Sequence, residues 1–106
     1  VILDCITLLV NNLMFTDGID IDNASEEEIN ELEAYIQDQI KKLMEEVKKT
    51  DLYFVMVTNE IGLGVVPGYK LGRVYCDFVG RINQMLGKLS DEVYFVVCGI
   101  PTKIKG

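Results

Sequence analysis

The sequence predicts a single α/β domain over residues 1–106, built on a mostly parallel sheet. Three observations carry that reading. Apolar runs of strand length recur at residues 1–5, 52–57 and 93–98, and continuous rather than alternating apolar character is what strands covered on both faces need. Between the runs, two long segments repeat apolar residues every three or four positions, the period of an amphipathic helix. The connections are also long, as crossovers between parallel strands must be, with right-handed passage expected.

The first run, Val1-Ile2-Leu3-Asp4-Cys5, reads as a central strand with a carboxylate at its carboxyl end. Asp4 there suits two roles. One is the acid with which P-loop nucleotide hydrolases orient a magnesium ion and its waters; the other is a capping acid for the helix that follows. The run opens the chain without an initiator methionine, and a buried parallel strand is an unusual first element, so the sequence reads as the C-terminal portion of something longer. Residues 7–15 are apolar at nearly every position apart from Asn11 and Asn12, which predicts a short, mostly buried helix. Thr16-Asp17-Gly18 is a turn and residues 17–24 an acidic loop. Asp20 and Asp22 have the spacing that opens a calcium loop, but Ala24 and Ser25 stand where a ligand and the obligatory glycine belong, so that reading fails.

Ser25 with Glu28 three residues on forms a capping box, which starts a long helix. Ile29, Leu32, Ile36, Ile40, Leu43 and Val47 make its buried stripe, with acids in the first turns and Lys48-Lys49 in the last, both favourable to the helix dipole. It reads as structural. The run 52–57 follows as a fully buried strand and leads into Thr58-Asn59-Glu60-Ile61-Gly62-Leu63-Gly64-Val65-Val66-Pro67. A polar Thr-Asn-Glu closing a buried strand, then two glycines and a proline, is how an α/β protein sets ligand groups at the carboxyl edge of its sheet. Thr58 and Asn59 offer donors and acceptors, Glu60 a carboxylate, and Gly62 and Gly64 a backbone free to turn or approach a ligand. An ordinary strand-to-helix loop is the alternative.

A second long helix, about residues 69–88, carries Leu71, Val74, Phe78, Ile82, Met85 and Leu89 as its buried stripe. Arg73, Asp77, Gly80 and Gln84 form another stripe. That face is either plain solvent surface with an Arg–Asp pair or a face turned to the 58–67 loop or to a neighbouring subunit; a mid-helix glycine favours close packing there. Ser90-Asp91-Glu92 ends the helix, 93–98 is another buried strand, Gly99-Ile100-Pro101 a turn, and Thr102-Lys103-Ile104-Lys105 an edge strand.

Composition limits the function. The net charge of −7 argues against a nucleic-acid phosphate binder. The acidity is local, however: Asp17, Asp20, Asp22, Glu26, Glu27, Glu28, Glu31 and Glu33 have no base among them, while the rest of the chain holds nine acids and ten bases. An anionic nucleotide is therefore still admissible. The chain has no histidine, so chemistry needing an imidazole does not reside in these residues. No apolar run reaches the roughly 18 residues of a membrane span, and no basic-then-apolar signal peptide opens the chain. Cys5, Cys76 and Cys98 are odd in number and lack a C-x-x-C spacing, which suits reduced, buried thiols in a cytoplasmic protein.

Thr58-Asn59-Glu60-Ile61-Gly62-Leu63-Gly64-Val65-Val66-Pro67, then Leu71-Gly72-Arg73, Asp77-Phe78-Val79-Gly80-Arg81-Ile82-Asn83-Gln84 and Asp91-Glu92-Val93, resemble the bifunctional adenosylcobinamide kinase/adenosylcobinamide-phosphate guanylyltransferases of cobalamin assembly. Leu3-Asp4-Cys5-Ile6-Thr7-Leu8 with Asn12-Leu13 is similar to their mid-chain strand and helix, and Gly99-Ile100-Pro101 with Lys103-Ile104-Lys105 to their carboxyl terminus. The resemblance implies a three-layer, RecA-like P-loop fold, present in part, and assembly as a homotrimer. It implies two steps: a nucleoside triphosphate, ATP or GTP, phosphorylates the aminopropanol hydroxyl of adenosylcobinamide, and GMP from GTP then passes through a histidine to that phosphate, giving adenosylcobinamide-GDP. Asp4 takes the acidic place that assists magnesium or nucleotide, Asp4 and Glu60 the catalytic carboxylates, and Thr58, Asn59, Gly62, Gly64, Arg73 and Asn83 the nucleotide and substrate contacts, with the Arg73 guanidinium suited to phosphate. The family's P-loop and guanylylated histidine are not among these 106 residues, which predicts that the chain alone is inactive. Two other classes stay open: a non-catalytic α/β interaction module, and a different P-loop-type nucleotide-binding protein.

Overall fold

The computed structural model describes residues 1–16, 18–60 and 69–106. Chain order is β1 (Ile2–Asp4), α1 (Ile6–Met14), α2 (Glu26–Lys48), β2 (Val55–Val57), α3 (Lys70–Leu89), β3 (Val93–Val97) and β4 (Ile100–Lys105). The expectations placed on Asp17, Gly62 and Gly64 fall outside the described residues.

The helices form as their local chemistry dictates. Ser25 accepts from the Glu28 amide at 3.1 Å, and the Glu28 carboxylate accepts from the Ser25 amide at 3.4 Å, so the capping box closes in both directions. The stripe of α2 is buried at Leu32, Ile36, Ile40 and Met44, while Ile29 packs half-buried beside it. Helix α3 buries Gly72, Phe78, Val79, Ile82 and Leu86. With Ile6, Val10 and Met14 of α1 the buried side chains of α2 and α3, Gly72 apart, make one core at the meeting of three helices, joined by Ile21 from the acidic loop. The stripe residues Leu71, Val74, Met85 and Leu89 flank that core instead of filling it.

Strands β1 and β2 pair in parallel, with Ile2 opposite Val55, Leu3 opposite Met56 and Asp4 opposite Val57. Because side chains alternate across a strand, only the middle pair, Leu3 and Met56, packs against the helical core. Ile2, Val55 and Val57 lie on the other face and are exposed. Strand β2 is thus shorter and more open than the fully buried run expected at 52–57: Leu52 is 63% and Tyr53 77% exposed.

The carboxyl-terminal run departs further from expectation. Residues 93–97 do not join the parallel pair among the described residues; they turn back on themselves and pair antiparallel with β4, Val97 opposite Ile100 and Val93 opposite Lys105. The turn is Cys98-Gly99, not Gly99-Ile100-Pro101, and both residues have positive φ, 52° and 74°. That is the geometry of a two-residue hairpin turn whose twist matches the flanking strands. The hairpin is exposed on both faces, so the expected burial of this run, and of the Cys98 thiol, does not hold; Cys5 and Cys76 are half-buried. Lys105 ties the hairpin to the domain, donating to the carbonyls of Gly87 and Lys88 at 2.8 and 2.9 Å. A cation on the last carbonyls of a helix satisfies orphan acceptors and complements the dipole. The fold is thus mixed α/β, with one parallel strand pair and one antiparallel hairpin among the described residues.

Candidate functional site

Parallel pairing sets the site. Asp4 lies level with Val57, so the next residues of each strand, Cys5 and Thr58, leave the sheet at the same edge. From there the first chain turns into α1, with Cys5 as the residue preceding the helix. The second chain continues as Thr58-Asn59-Glu60. The carboxyl edge of the parallel pair therefore gathers Asp4, Thr58, Asn59 and Glu60, the position at which α/β sheets present ligand groups.

A chain of hydrogen bonds fixes this edge. The Thr58 hydroxyl donates to the Asn83 side-chain oxygen at 2.6 Å. The Asn83 side-chain nitrogen donates to the Asn59 carbonyl at 3.0 Å. The Asn59 side chain in turn donates to the Thr7 hydroxyl at 3.4 Å, and that hydroxyl lies 3.0 Å from the Cys5 sulfur. Tyr75, two turns before Asn83 on α3, donates its hydroxyl to the Thr7 carbonyl at 3.0 Å. Three elements, α1, the end of β2, and α3, are joined at polar side chains within one small volume.

Thr7 is the buried member of this network, at 5% exposure. A buried hydroxyl without a partner costs roughly 1–3 kcal/mol, and here it has two neighbours. Burial raises the Tyr75 phenol above its ordinary pKa of 10.0, reinforced by the nearby Cys5 thiol and opposed by hydrogen bonding with the Thr7 side chain. The phenol therefore stays protonated, and so remains a donor, over the neutral range.

The two carboxylates of the edge are placed differently. Asp4 and Glu60 are exposed, and neither has a hydrogen-bond or ion-pair partner among the described residues. Among the described residues no group of three or more carboxylates and thiols is arranged to enclose a metal. One open carboxylate nonetheless fits the way magnesium is usually held, through one or two carboxylates with the remaining positions taken by phosphate oxygens and water. Arg73 is exposed, and it precedes Asn83 by ten residues, about 15 Å along the helix at 1.5 Å per residue. The structure thus brings Asp4, Thr58, Asn59, Glu60 and Asn83 to one end of the domain and sets Arg73 well along α3 from Asn83.

The sequence reading missed Thr7 and Tyr75. Thr7 fell inside an apolar helix pattern and Tyr75 beside the buried stripe of α3. A hydroxyl in the first turn after a strand ending in Asp was the signal for Thr7; none pointed to Tyr75.

A concavity of about 350 Å³ lies between α2 and α3, away from this edge. Two of its charged residues are engaged: Arg81 pairs with Glu33, and Lys70 donates to the Ala24 carbonyl at 2.9 Å. It acts as a brace between helices. At Gly80 an added Cβ would meet nothing within 4 Å among the described residues, so the close packing expected at that glycine is not made by them. No helix among the described residues is long and apolar enough to cross a membrane.

The chain is similar to known proteins over nearly its whole length. The chain is 40% identical over 105 residues to the bifunctional adenosylcobalamin biosynthesis protein CobU of Escherichia coli, and equally to that of Salmonella typhimurium. It is 30% identical to the bifunctional adenosylcobalamin biosynthesis protein CobP of Pseudomonas aeruginosa. Each match covers 99% of this chain but only 58% of the two CobU proteins and 53% of CobP, so the chain spans little more than half the length of these relatives. A family model described as cobinamide kinase / cobinamide phosphate guanyltransferase matches residues 1–104, and the chain belongs to that family.

Proposed function

We infer that this chain forms the carboxylate-bearing half of an adenosylcobinamide kinase and adenosylcobinamide-phosphate guanylyltransferase. The observation that carries the reading is the convergence of Asp4, Thr58, Asn59 and Glu60 on one sheet edge, within a family match that runs over residues 1–104. The names of the relatives support a role in adenosylcobalamin biosynthesis.

The reading assigns two transfers to the complete protein. A nucleoside triphosphate, ATP or GTP, gives its terminal phosphoryl group to adenosylcobinamide; GTP then gives GMP to the product, with pyrophosphate leaving. Both reactions depend mainly on positioning and on stabilising charge on phosphoryl oxygens. Asp4 and Glu60 are the catalytic carboxylates. Asp4 would hold magnesium, which when bound offsets phosphate charge. Glu60 accepts a proton or a hydrogen bond from the attacking hydroxyl, and Asn59 supplies polar contacts. Gly62 and Gly64 give the backbone room to approach the nucleotide, and Arg73 offers phosphate a planar pair of donors.

The fold proposed for the complete protein is a three-layer, RecA-like P-loop domain that assembles as a cytoplasmic homotrimer. The exposed outer face of the parallel pair, with Ile2, Val55 and Val57, supports a further layer there, because apolar sheet faces are ordinarily covered. The 106 residues alone are expected to be inactive, since they contain neither a G-x-x-x-x-G-K-[ST] loop nor a histidine.

The test is turnover. The complete gene product, supplied with adenosylcobinamide, GTP and magnesium, should yield adenosylcobinamide phosphate and then adenosylcobinamide-GDP, and Asp4→Asn and Glu60→Gln should each lower the rate at least a hundredfold. Wild-type rates from either variant would remove the site assignment, and no product from the complete protein would remove the function.

A further inference from the structure

We propose that Asn83 and Thr7 are positioning residues: they act on the reaction through Thr58 and Asn59, clamping the edge that carries Glu60, and do not themselves contact the nucleotide. The inference rests on the functional reading above but makes a separate claim about how the site is held.

The side-chain amide of Asn83 is engaged at both ends. Its oxygen receives the Thr58 hydroxyl at 2.6 Å, and its nitrogen donates to the Asn59 carbonyl at 3.0 Å. One planar group thus spans consecutive residues of the chain leaving β2, and fixes both a side chain and a peptide orientation. Thr7 holds the same segment from the other side, since its hydroxyl receives the Asn59 side chain at 3.4 Å. Thr7 is itself held: it is buried, its hydroxyl lies 3.0 Å from the Cys5 sulfur, and its carbonyl receives Tyr75.

The segment needs such a clamp. Strand β2 ends at Val57, so Thr58, Asn59 and Glu60 lie beyond its ladder and are exposed. Without tertiary bonds, an exposed segment past a three-residue strand samples many conformations. Transfer chemistry is sensitive to this, because misplacing a reacting group by about 1 Å can cost a hundredfold in rate. Two clamps from two different helices place Asn59, and with it the adjoining Glu60, relative to Asp4 on the neighbouring strand.

The experiment is a double-mutant cycle in the complete protein with Thr58→Val, Asn83→Ala and the pair, alongside the rescue variants Thr58→Ser and Thr7→Ser and the knock-out Thr7→Val. Steady-state kinetics is read together with amide hydrogen exchange of residues 58–60 in the ligand-free protein. The expected result is a tenfold or greater loss in kcat with KM for nucleotide changed less than threefold. The double variant should be no worse than Asn83→Ala alone, because that substitution already removes the one bond that Thr58→Val removes. Ser at 58 or 7 should restore most of the rate, and exchange at 59–60 should quicken in Asn83→Ala and Thr7→Val. Multiplying losses in the double variant, or a rise in KM with kcat intact, would mean that Asn83 contacts ligand, and would overturn the proposal. Unchanged exchange in both knock-outs would overturn it as well. The exchange arm needs no turnover, so a failure of the functional reading is told apart from a failure of the clamp.

Discussion

Removing the Tyr75 hydroxyl isolates one bond of the network and predicts a signature in pH as well as in stability. In Tyr75→Phe the ring stays, so the apolar packing around α3 is kept, and only the 3.0 Å bond to the Thr7 carbonyl is lost. That carbonyl belongs to a residue of α1 and retains the helix's own bonding, so no buried acceptor is orphaned. The cost is then that of a typical net hydrogen bond, about 0.5–1.5 kcal/mol, not that of an unsatisfied group. For a domain of about 100 residues, 1 kcal/mol shifts the melting temperature by roughly 4–8 °C. The folded-state pKa of this phenol is raised, mainly by burial. Its stabilisation is fully present below the unfolded value of 10.0 and is lost as pH rises through the folded value. Thermal melts of both proteins between pH 7 and 11 should show a constant gap up to about pH 10 and a closing or inverted gap above it, other titrations cancelling in the difference. A gap that persists unchanged to pH 11, or no gap at pH 7, would refute the reasoning.

Phe78 is the largest fully buried side chain, so Phe78→Ala should destabilise by about 3–5 kcal/mol in chemical denaturation, enough to unfold a marginal domain. Ser25→Ala removes one arm of the capping box and should cost about 1 kcal/mol, seen as lower thermal stability, with Ser25→Gly milder. Gly80→Ala meets nothing within 4 Å and has ordinary helical backbone, so it should gain roughly 0.5–1 kcal/mol in the same melts. Under the proposed function, chelating magnesium should weaken nucleotide binding by calorimetry, and Asp4→Asn should shrink the difference between the magnesium and chelator conditions.

What the sequence discloses depends on how local the cause is. The α2 cap was readable because Ser25 and Glu28 are three residues apart and satisfy each other. The α2 and α3 stripes were readable because the helical period is fixed by backbone geometry, although Met44 and Leu86 entered the core where Leu43, Met85 and Leu89 were expected. The site edge was legible as residue types, since Thr58-Asn59-Glu60 interrupts an apolar run. Its geometry was not legible: Asn59 meets Thr7 across 52 residues of sequence, and Tyr75 meets Thr7 across 68. The hairpin was misread for a different reason. An apolar run states that a strand prefers burial and says nothing of what covers it, and Cys98-Gly99 lacks the Asn-Gly or Asp-Gly pair that usually announces a tight turn.

Charge gives the edge its division of labour. The neutral groups, Thr7, Thr58, Asn59 and Asn83, turn toward one another, where hydrogen bonds hold the geometry without the desolvation that a buried ion would suffer. The ionised groups, Asp4 and Glu60, stay in solvent, while several cations of the domain are taken up elsewhere: Lys42 by Asp38, Lys49 by Glu46, Arg81 by Glu33, Lys103 by Glu92, and Lys105 by helix carbonyls. An exposed carboxylate costs little to keep charged, yet it repels an incoming phosphate by about 1 kcal/mol at 4 Å in water, and by more as water is excluded. A cation accompanying the nucleotide reverses that sign. The arrangement therefore favours a phosphate that arrives with its own counter-charge over a bare anion, and a neutral clamp holds the carboxylates ready without competing for that charge.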